Sequence, residues 1–473
     1  MKDNRIKLLS EAPVTKAILV MSLPVVMGMM VQVLYNLVDT FFIGRLNDPN
    51  QLAAANIATP IFMMMMALAG IIGTGAASYI SRCLGEKNNE QADKTLVISV
   101  VICIILGIVV TIAGFLLLKP LITVLGASTG TFKFTYDYVF VLLMGSVPIM
   151  CNYAMGQLLR SEGDAMGSMV GMLIGTVVNI VLDPVFIFAF GMGMQGAAIA
   201  TVLGNVFALA FYCYRYARGK TLLKVKLSLF TFNRTIWKEI FVIGTPASLS
   251  QLLMSVSMIV CNNIAASYSD IVVAGFGVSA KIIAIGTFIF MGFAAGCQPL
   301  VGFNYGAKNF ERVMAIIKKG VVMTSIIGVT LSVFFGVFAR TIITFFISTP
   351  EVIDAGTVIL RALMLSLPFI GGQMLCRTTV QAMGKALPAL FLSLSRQGVF
   401  YLPLLFILNI TFGFKGFIYA QPITDVLMLV ISALILLSII NKDSLMHNEI
   451  EKEKTECKLK LEKSMLEPTH EET

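Results

Sequence analysis

Two acidic residues lie inside long apolar segments of this sequence. Asp39 falls within QVLYNLVDTFFIGR (32–45), and Asp183 falls within VVNIVLDPVFIF (177–188). A carboxylate near the middle of a membrane helix costs about 2.5–3.5 kcal/mol, and such residues mark functional sites by default. The two acids are therefore the first candidates for a functional site.

Both acids could bind a proton or a small cation. Two neighbouring carboxylates in a low-dielectric region cannot both stay ionised cheaply, so such a pair is suited to take up and release a proton. Asn179 and Thr201 add an amide and a hydroxyl oxygen, and this set of hard oxygen donors could instead hold sodium. The sequence leaves the choice between the two ions open.

Spacing along the chain places these side chains on common faces. Asn179 and Asp183 are four residues apart and share one helix face. A polar stripe of the same kind follows the first helix and consists of Gln32, Tyr35, Asn36 and Asp39. Pro24 and Pro184 remove backbone donors within their helices, so we expect both helices to bend there.

The composition predicts an all-α integral membrane protein. Of 473 residues 57% are hydrophobic and only 13% are charged, with a mean hydropathy of +0.87. Soluble domains carry about 25% charged residues. The apolar runs are continuous and about 20 residues or longer, which is typical of membrane helices and not of β-barrels. The net charge of +9 is explained by basic loops, so no nucleic-acid partner is expected.

Apolar runs between polar breaks predict twelve transmembrane helices. Their approximate spans are 15–44, 52–81, 95–118, 136–160, 166–190, 194–218, 236–268, 271–303, 312–339, 353–382, 388–411 and 416–440. The resulting domains are an N-terminus (1–14), a first lobe (15–218), a linker (219–235), a second lobe (236–440) and a polar tail (441–473).

Basic residues alternate between the connections. The N-terminus and the second, sixth and eighth connections are rich in Lys and Arg, whereas FGMGMQG (190–196) and SYSD (267–270) contain neither. The positive-inside rule then places both termini in the cytoplasm of a cell-membrane protein. Asp39 lies roughly 7–8 Å from the outer end of its helix, and Asp183 and Thr201 fall at a similar depth.

The second half of the chain repeats the first. GAASYISRCLGEKN (75–88) and GCQPLVGFNYGAKN (296–309) share Gly, Gly, Lys and Asn at a constant shift. Two six-helix lobes in the same direction are parallel repeats related by pseudo-two-fold symmetry, and transporters of this design bind substrate near the repeat interface. Shifted into the second half, Asp39 falls on Cys261, so the fold itself does not require the acids.

Three further basic residues lie within predicted helices. Lys281, about ten residues into the eighth helix, could bind an anionic group, pair across the cleft or be satisfied within the bundle. Arg377 and Arg396 are nearer the cytoplasmic ends, where we expect them to snorkel. No Walker motif and no nucleophile–base constellation occurs, so neither an ATP-driven pump nor an enzyme is predicted.

The sequence resembles the multidrug and toxic compound extrusion family of the polysaccharide-exporter and lipid-flippase superfamily. The likeness covers roughly residues 10–440 and rests on five motifs: VDTFFIGRL, RSEGDA, NIVLDPVF, GMQGAAIAT and GFNYGAKN. The pattern is similar to the DinF-like bacterial branch. That likeness implies an ion site formed by Asp39, Asn179, Asp183 and Thr201, and it places Tyr35 and Asn152 in the lining of the first lobe.

The resemblance implies efflux of cationic or amphipathic small molecules, driven by a proton or sodium gradient. No cofactor is expected. The implied partners are organic cations, drugs and the lipid bilayer, and the protein is expected to be a monomer. A lipid-linked precursor flippase of the same superfamily is the alternative, and it predicts a more cationic central cavity. A third possibility is a membrane receptor or scaffold that transports nothing, in which Asp39 would be dispensable.

Overall fold

The computed structural model describes residues 2–46 and 48–466, and within this part of the chain it is entirely helical. The helices are α1 (Lys2–Ser10), α2 (Val14–Gly44), α3 (Pro49–Gly85), α4 (Asn89–Val124), α5 (Phe132–Met144), α6 (Ser146–Ser161), α7 (Ala165–Pro184), α8 (Gly193–Ala217), α9 (Arg234–Tyr268), α10 (Asp270–Gly306), α11 (Phe310–Val337), α12 (Ala339–Phe346), α13 (Pro350–Met364), α14 (Leu367–Ala382), α15 (Ala386–Leu394) and α16 (Leu402–Leu466).

Twelve membrane-crossing units can be counted among these helices. Nine described helices are long and apolar enough to cross a membrane, and two bent pairs, α5 with α6 (58°) and α13 with α14 (43°), add one crossing each. The last of the nine is an apolar helical stretch from Ala386 to Glu449. Its backbone is not helical at Gly413 (φ 58°, ψ −138°), and this kink divides the stretch into two crossings. The predicted all-helical fold with twelve helices is confirmed, although the two breaks inside the fourth and tenth helices were not foreseen.

The repeat is visible in the backbone as well as in the sequence. Lys87 and Lys308 are the two described non-glycine residues with positive φ, at 61° and 59°, and they occupy matching places in the two halves. Each is followed by an asparagine that caps the next helix. Asn88 accepts a hydrogen bond from the Gln91 amide, and Asn309 accepts one from the Arg312 amide. The same short turn therefore starts α4 and α11.

The helices form two lobes that meet at one end of the molecule. Helices α2–α8 pack among themselves as the N-lobe and α9–α16 as the C-lobe, and α2 and α3 contact α9 and α10 between them. We call the end that carries the connection 218–233 the linker end, and the opposite end the far end. One apolar core crosses between the lobes, whereas two others are confined to a single lobe each: one around Phe276 in the C-lobe, the other around Ile187 in the N-lobe.

The hydrogen bonds between described residues of the two lobes lie in the middle or at the linker end of the helices. Ser22 Oγ donates to the Phe293 carbonyl (3.1 Å), and Ser248 Oγ donates to the Ala67 carbonyl (2.5 Å). Closer to the linker end, Arg82 forms an ion pair with Glu239 (2.6 Å). Since the far halves share no such bond among the described residues, the lobes enclose a cleft that opens toward the far end.

Glycines allow the lobes to approach so closely. A methyl group on Gly244 of α9 would overlap the backbone carbonyl of Ile71 in α3, and one on Gly75 of α3 would overlap the carbonyl of Ile240 in α9. Gly292 of α10 sits likewise against α2, where an added Cβ would lie 2.8 Å from the Val26 Cα. Small residues of this kind let helix backbones touch in membranes.

Gly244→Ala should therefore shift the protein away from this conformation. Overpacking costs about 1–3 kcal/mol, and parting the lobes at the linker end relieves it. Pulsed electron-spin resonance between labels at Lys119 and Glu351, exposed on the far rims of the two lobes, should give a shorter mean distance in the variant. Gly336→Ala is the control, because an added methyl there has open space. Equal distance distributions in all three proteins would contradict this account of the contact.

The connection between the lobes is fastened to the N-lobe by a buried carboxylate. Glu162, which is fully buried, accepts hydrogen bonds through Oε2 from the amides of Leu222 (2.6 Å) and Leu223 (3.0 Å). Next to it, Asp164 pairs with Arg5 of α1 (2.9 Å) and with Arg215 of α8. The N-terminal helix, the α6–α7 turn and the connection thus form one polar assembly at the linker end.

Burial raises the pKa of Glu162 to about 7. A carboxyl whose pKa is higher in the folded state contributes stability at low pH, and that contribution is lost as the pH rises through about 7. The apparent unfolding temperature in detergent should therefore fall between about pH 5 and pH 8, and Glu162→Gln should make this fall smaller. Glu86→Gln, exposed at the same end, should behave as wild type. If the unfolding temperature of Glu162→Gln falls with pH as much as that of wild type, the raised pKa does not belong to Glu162.

Candidate ion site and substrate cleft

The candidate ion site lies in the far half of the N-lobe, where α7 and α8 cross. A Cβ on Gly204 of α8 would lie 2.6 Å from the carbonyl oxygen of Gly175 in α7, so only glycine fits at this crossing. Gly175 is the last of three glycines spaced four residues apart on α7, after Gly167 and Gly171. The close approach brings Asn179 and Thr201 within hydrogen-bonding distance one turn further along.

Thr201 connects the other side chains of the candidate ion site. Its hydroxyl accepts a hydrogen bond from Asn179 Nδ2 (3.3 Å) and shares another with the Tyr35 hydroxyl of α2 (3.3 Å). Asn179, Asp183 and Thr201 are all buried, and Asp183 has no exposed surface. The structure thus joins three helices, α2, α7 and α8, through one side chain.

Asp39 enters the site from α2, one turn beyond Tyr35. It is half-buried, and it lies close enough to Asp183 for their charges to interact. Tyr138 of α5 faces both carboxylates and the Thr201 hydroxyl. The two acids that the sequence places at one depth are therefore neighbours in space.

Four carboxylate and amide oxygens at this site accept no hydrogen bond from the part of the chain that the structure describes. They are Asp39 Oδ1, both Oδ atoms of Asp183, and Asn179 Oδ1, and all are buried. A buried polar atom without a partner is costly, and more so when it carries charge. A proton on either acid, or a cation shared by these oxygens, would relieve that cost.

The ligand chemistry fits sodium better than a transition metal. Carboxylate, amide and hydroxyl oxygens suit hard cations. Within the described residues there is no group of three or more His, Cys, Asp and Glu side chains that could hold a metal ion. Asp39, Asn179, Asp183 and Thr201 could hold sodium with two carboxylates and two neutral oxygens.

The backbone next to Asp183 is irregular. Helix α7 ends at Pro184, and Val185–Ala189 continue as a π-helical turn. Pro184 has no amide hydrogen, so it cannot donate to the Ile180 carbonyl one turn earlier, and π-helical turns occur often at functional sites. Pro24, in contrast, lies inside the uninterrupted helix α2, and the bend expected there stays a prediction.

The other residues predicted for the N-lobe differ in how they connect to Thr201. Asn152 Nδ2 donates to Asn205 Oδ1 (2.8 Å), and Asn205 in turn donates to the Thr201 carbonyl (2.8 Å). Gln32 is half-buried, one turn before Tyr35. The side chain of Asn36 lies outside the described residues. Sequence reasoning missed Asn205, although it follows Thr201 by four residues on the same helix face, and it missed Tyr138, which carries no distinctive signal.

Lys281 lies apart from the ion site, in the C-lobe. Its side chain is exposed and lines a cavity of about 500 Å³ between α9 and α10, together with Asn262 and apolar residues. Because α9 and α10 are the C-lobe helices that face the N-lobe, this cavity belongs to the C-lobe wall of the cleft.

The expectation that Arg377 and Arg396 snorkel is wrong. Arg396 Nε donates to Asp425 Oδ1 (3.0 Å), and Asp425 of α16 is only 1% exposed. Arg377 donates to Ser250 Oγ of α9 (3.0 Å). Both guanidinium groups thus point into the protein, and Arg396 sits in a π-helical segment, Ser395–Tyr401. The sequence analysis missed Asp425, the acid that makes this pairing possible.

Asp425→Asn should destabilise the protein strongly, because it leaves Arg396 buried without a counter-charge. Breaking one side of a buried pair costs about 3–5 kcal/mol, whereas an exposed pair is worth about 0–1 kcal/mol. Asp354→Asn is the matched control, since Asp354 pairs with Arg340 (2.8 Å) on the surface. Thermal unfolding in detergent should show a large decrease for the first variant only, and the double variant Asp425→Leu with Arg396→Leu should regain part of it. Similar decreases for both Asn variants would contradict a buried pair.

Two matched helical lobes around a cleft, with a polar cluster inside one lobe, define a multi-pass membrane transporter. The MatE family model matches the chain twice, over residues 24–185 and 246–407. The multidrug export protein MepA of Staphylococcus aureus (strain MSSA476) is 30% identical over 425 residues, which are 90% of this chain and 94% of the relative. MepA of Staphylococcus haemolyticus is 29% identical over 442 residues, covering 93% and 97%.

A solved structure agrees with these relatives. It is described as the outward-facing conformation of a multidrug resistance MATE family transporter of the MOP superfamily, with a TM-score of 0.88 and 31% identity over 92% of this chain and 98% of that chain. The chain belongs to the MatE family. The resemblance inferred from the sequence motifs is thereby confirmed.

Proposed function

We propose that this protein exports amphipathic or cationic small molecules across the cell membrane in exchange for protons or sodium ions. The observation that carries the proposal is the pair of carboxylates, half-buried Asp39 and buried Asp183, three of whose four oxygens accept no hydrogen bond from the residues that the structure describes. The relatives named as multidrug export proteins supply the substrate class. Asn179 and Thr201 complete the ion site, and Tyr35 couples it to α2.

The proposed cycle uses the cleft between the lobes. From the basic connections and the positive-inside rule we infer that the linker end and both termini lie in the cytoplasm, so that the cleft described above would face outward. An ion from outside binds Asp39 and Asp183, draws α2 toward α7 and α8, and displaces substrate from the cleft. The lobes, residues 15–218 and 236–440, then rock as bodies about their contact, as parallel-repeat transporters do.

The energy of one ion is sufficient for useful export. One charge crossing about 100 mV supplies about 2.3 kcal/mol, which corresponds to roughly a fiftyfold concentration gradient. We propose a monomer as the transporting unit, because both lobes that form the cleft belong to one chain. No cofactor takes part in the scheme.

Transport in proteoliposomes tests the coupling. With a fluorescent cationic dye, wild type should concentrate the dye under an imposed pH or sodium gradient, up to about tenfold for a tenfold gradient of the coupling ion in one-for-one exchange. Asp39→Asn and Asp183→Asn should abolish the accumulation, because each removes one of the two charges that take up the ion.

Asp354→Asn controls for the loss of a carboxylate, since Asp354 is exposed in the C-lobe. The gradient that drives dye accumulation by wild type, pH or sodium, identifies the coupling ion. If either N-lobe variant accumulates dye as wild type does under both gradients, the proposed coupling site is wrong.

Flipping of a lipid-linked precursor is the second candidate function. The observation in its favour is the positive charge of the C-lobe, where Lys281, Arg377 and Arg396 outnumber Asp425 among the deep charged residues. Export of water-soluble dye by the purified protein in vesicles that lack such a precursor would favour the exporter.

A further inference from the structure

The cavity around Lys281 opens on the cleft between the lobes, in the far half of the molecule where the lobes are apart. It lies between the far halves of α9 and α10, whereas the contacts of these helices with the N-lobe involve residues such as Gly244, Ser248 and Gly292, nearer the linker end. A volume of about 500 Å³ is within the range of small-molecule sites, about 300–1,000 Å³. The cavity can thus receive a drug-sized molecule.

The lining of this cavity is apolar apart from one cation and one amide. Met258, Val273 and Ala280 contribute apolar surface, while Lys281 and Asn262 contribute hydrogen-bond donors. Lys281 forms no ion pair or hydrogen bond with any residue that the structure describes. It lies about 16 Å along α10 from the far end, so its exposed ammonium group is well inside the cleft and has no counter-charge among the described residues.

The fold does not require a lysine at this position. In the register of the repeat, Lys281 corresponds to Pro60 of α3 in the N-lobe. The two other deep C-lobe cations already have partners, because Arg396 pairs with Asp425 and Arg377 bonds to Ser250. A charge inside a membrane protein that is costly and serves no packing role marks a substrate or ion pathway.

The acids of the N-lobe do not cancel this charge in the cleft. Asp183 is fully buried, whereas the Lys281 side chain is exposed. A molecule that enters the cavity therefore meets a positive group on an otherwise apolar wall.

We propose that Lys281 and Asn262 form a recognition site for an anionic group, a carboxylate or a phosphate, on an amphipathic substrate. This inference rests on the proposed export function and adds to its substrates amphipathic molecules that carry a negative charge, zwitterions included. The ammonium group pairs with the anion, the Asn262 amide donates to it, and Met258 and Val273 contact the apolar body. A soluble compound and a lipid headgroup present the same anionic chemistry, and the competition experiment below distinguishes these two sources.

Equilibrium binding without any ion gradient tests this site apart from ion coupling. The probes are three dansyl compounds with the same alkyl spacer, ending in a carboxylate, a neutral amide or a trimethylammonium group. Fluorescence polarisation in non-ionic detergent should show that wild type binds the carboxylate about tenfold more tightly than the amide. Lys281→Gln should remove this preference without changing amide binding, and Lys281→Arg should retain it.

Lys319→Gln, exposed at the linker end, is the matched control and should keep the preference. An unchanged thermal unfolding curve for Lys281→Gln shows that the fold is intact. If Lys281→Gln keeps the carboxylate preference, or wild type binds the trimethylammonium probe more tightly than the carboxylate, the proposal is overturned.

Competition identifies the source of the anion. A short-chain phosphatidylglycerol and an alkyl carboxylate are each added to the protein with the carboxylate probe bound. If one of them displaces the probe from wild type but not from Lys281→Gln, the site is supported and that competitor identifies the source of the anion. If neither compound displaces the probe, the proposal is overturned. Because no gradient is applied, a failure of ion coupling in proteoliposomes would leave these binding results unaffected, and the two failures can be told apart.

Discussion

Two carboxylates held together in a region of low dielectric constant are the constraint on which the account of this protein depends. Asp39 and Asp183 lie on different helices, and three of their four oxygens accept no hydrogen bond from any described residue. Ionised without a partner, they would repel each other and lack solvation. We therefore propose that the site is most stable with a proton or a cation, and that its occupancy is linked to the position of α2, which carries Asp39.

The surrounding structure holds the acids in this position. The Gly175–Gly204 crossing brings α7 against α8, Thr201 connects both to Tyr35, and Pro184 breaks the regular backbone beside Asp183. Helix α2 also contacts α10 of the other lobe, through Ser22 and Gly292. One helix thus touches the candidate ion site near its far end and the interlobe contact near its linker end, and in the proposed cycle it would transmit ion binding to the lobes.

The two halves share a backbone but differ in charge. The turns at Lys87 and Lys308 repeat almost unchanged, whereas the N-lobe has buried acids and the C-lobe has mainly basic residues. We interpret this as a division of labour on one repeated framework, with the ion handled in one lobe and an anionic part of the substrate recognised in the other. A symmetric pair of sites would bring ion and substrate into competition for the same side chains.

Much of the fold and part of the site could be predicted from the sequence. Continuous apolar runs predicted the helices, because a membrane span must be both long and apolar, and the polar residues inside those runs pointed to Asp39 and Asp183. The break at Gly145 could not be predicted, since hydropathy stays high across it. Arg396 was assigned to the membrane surface because its partner, Asp425, is 29 residues away and becomes a neighbour only when the last two crossings pack. Tyr138 and Asn205 were missed because single Tyr and Asn residues are common in such helices.

The most direct test is infrared difference spectroscopy of the purified protein, titrated with protons at fixed sodium and with sodium at fixed pH. The account predicts a carboxylic acid carbonyl band that changes with at least one of the two ions and is lost from the spectrum of Asp183→Asn. A wild-type spectrum in which neither ion changes a carboxyl band, or the same band change in Asp183→Asn, would contradict the claim that the buried acids exchange an ion.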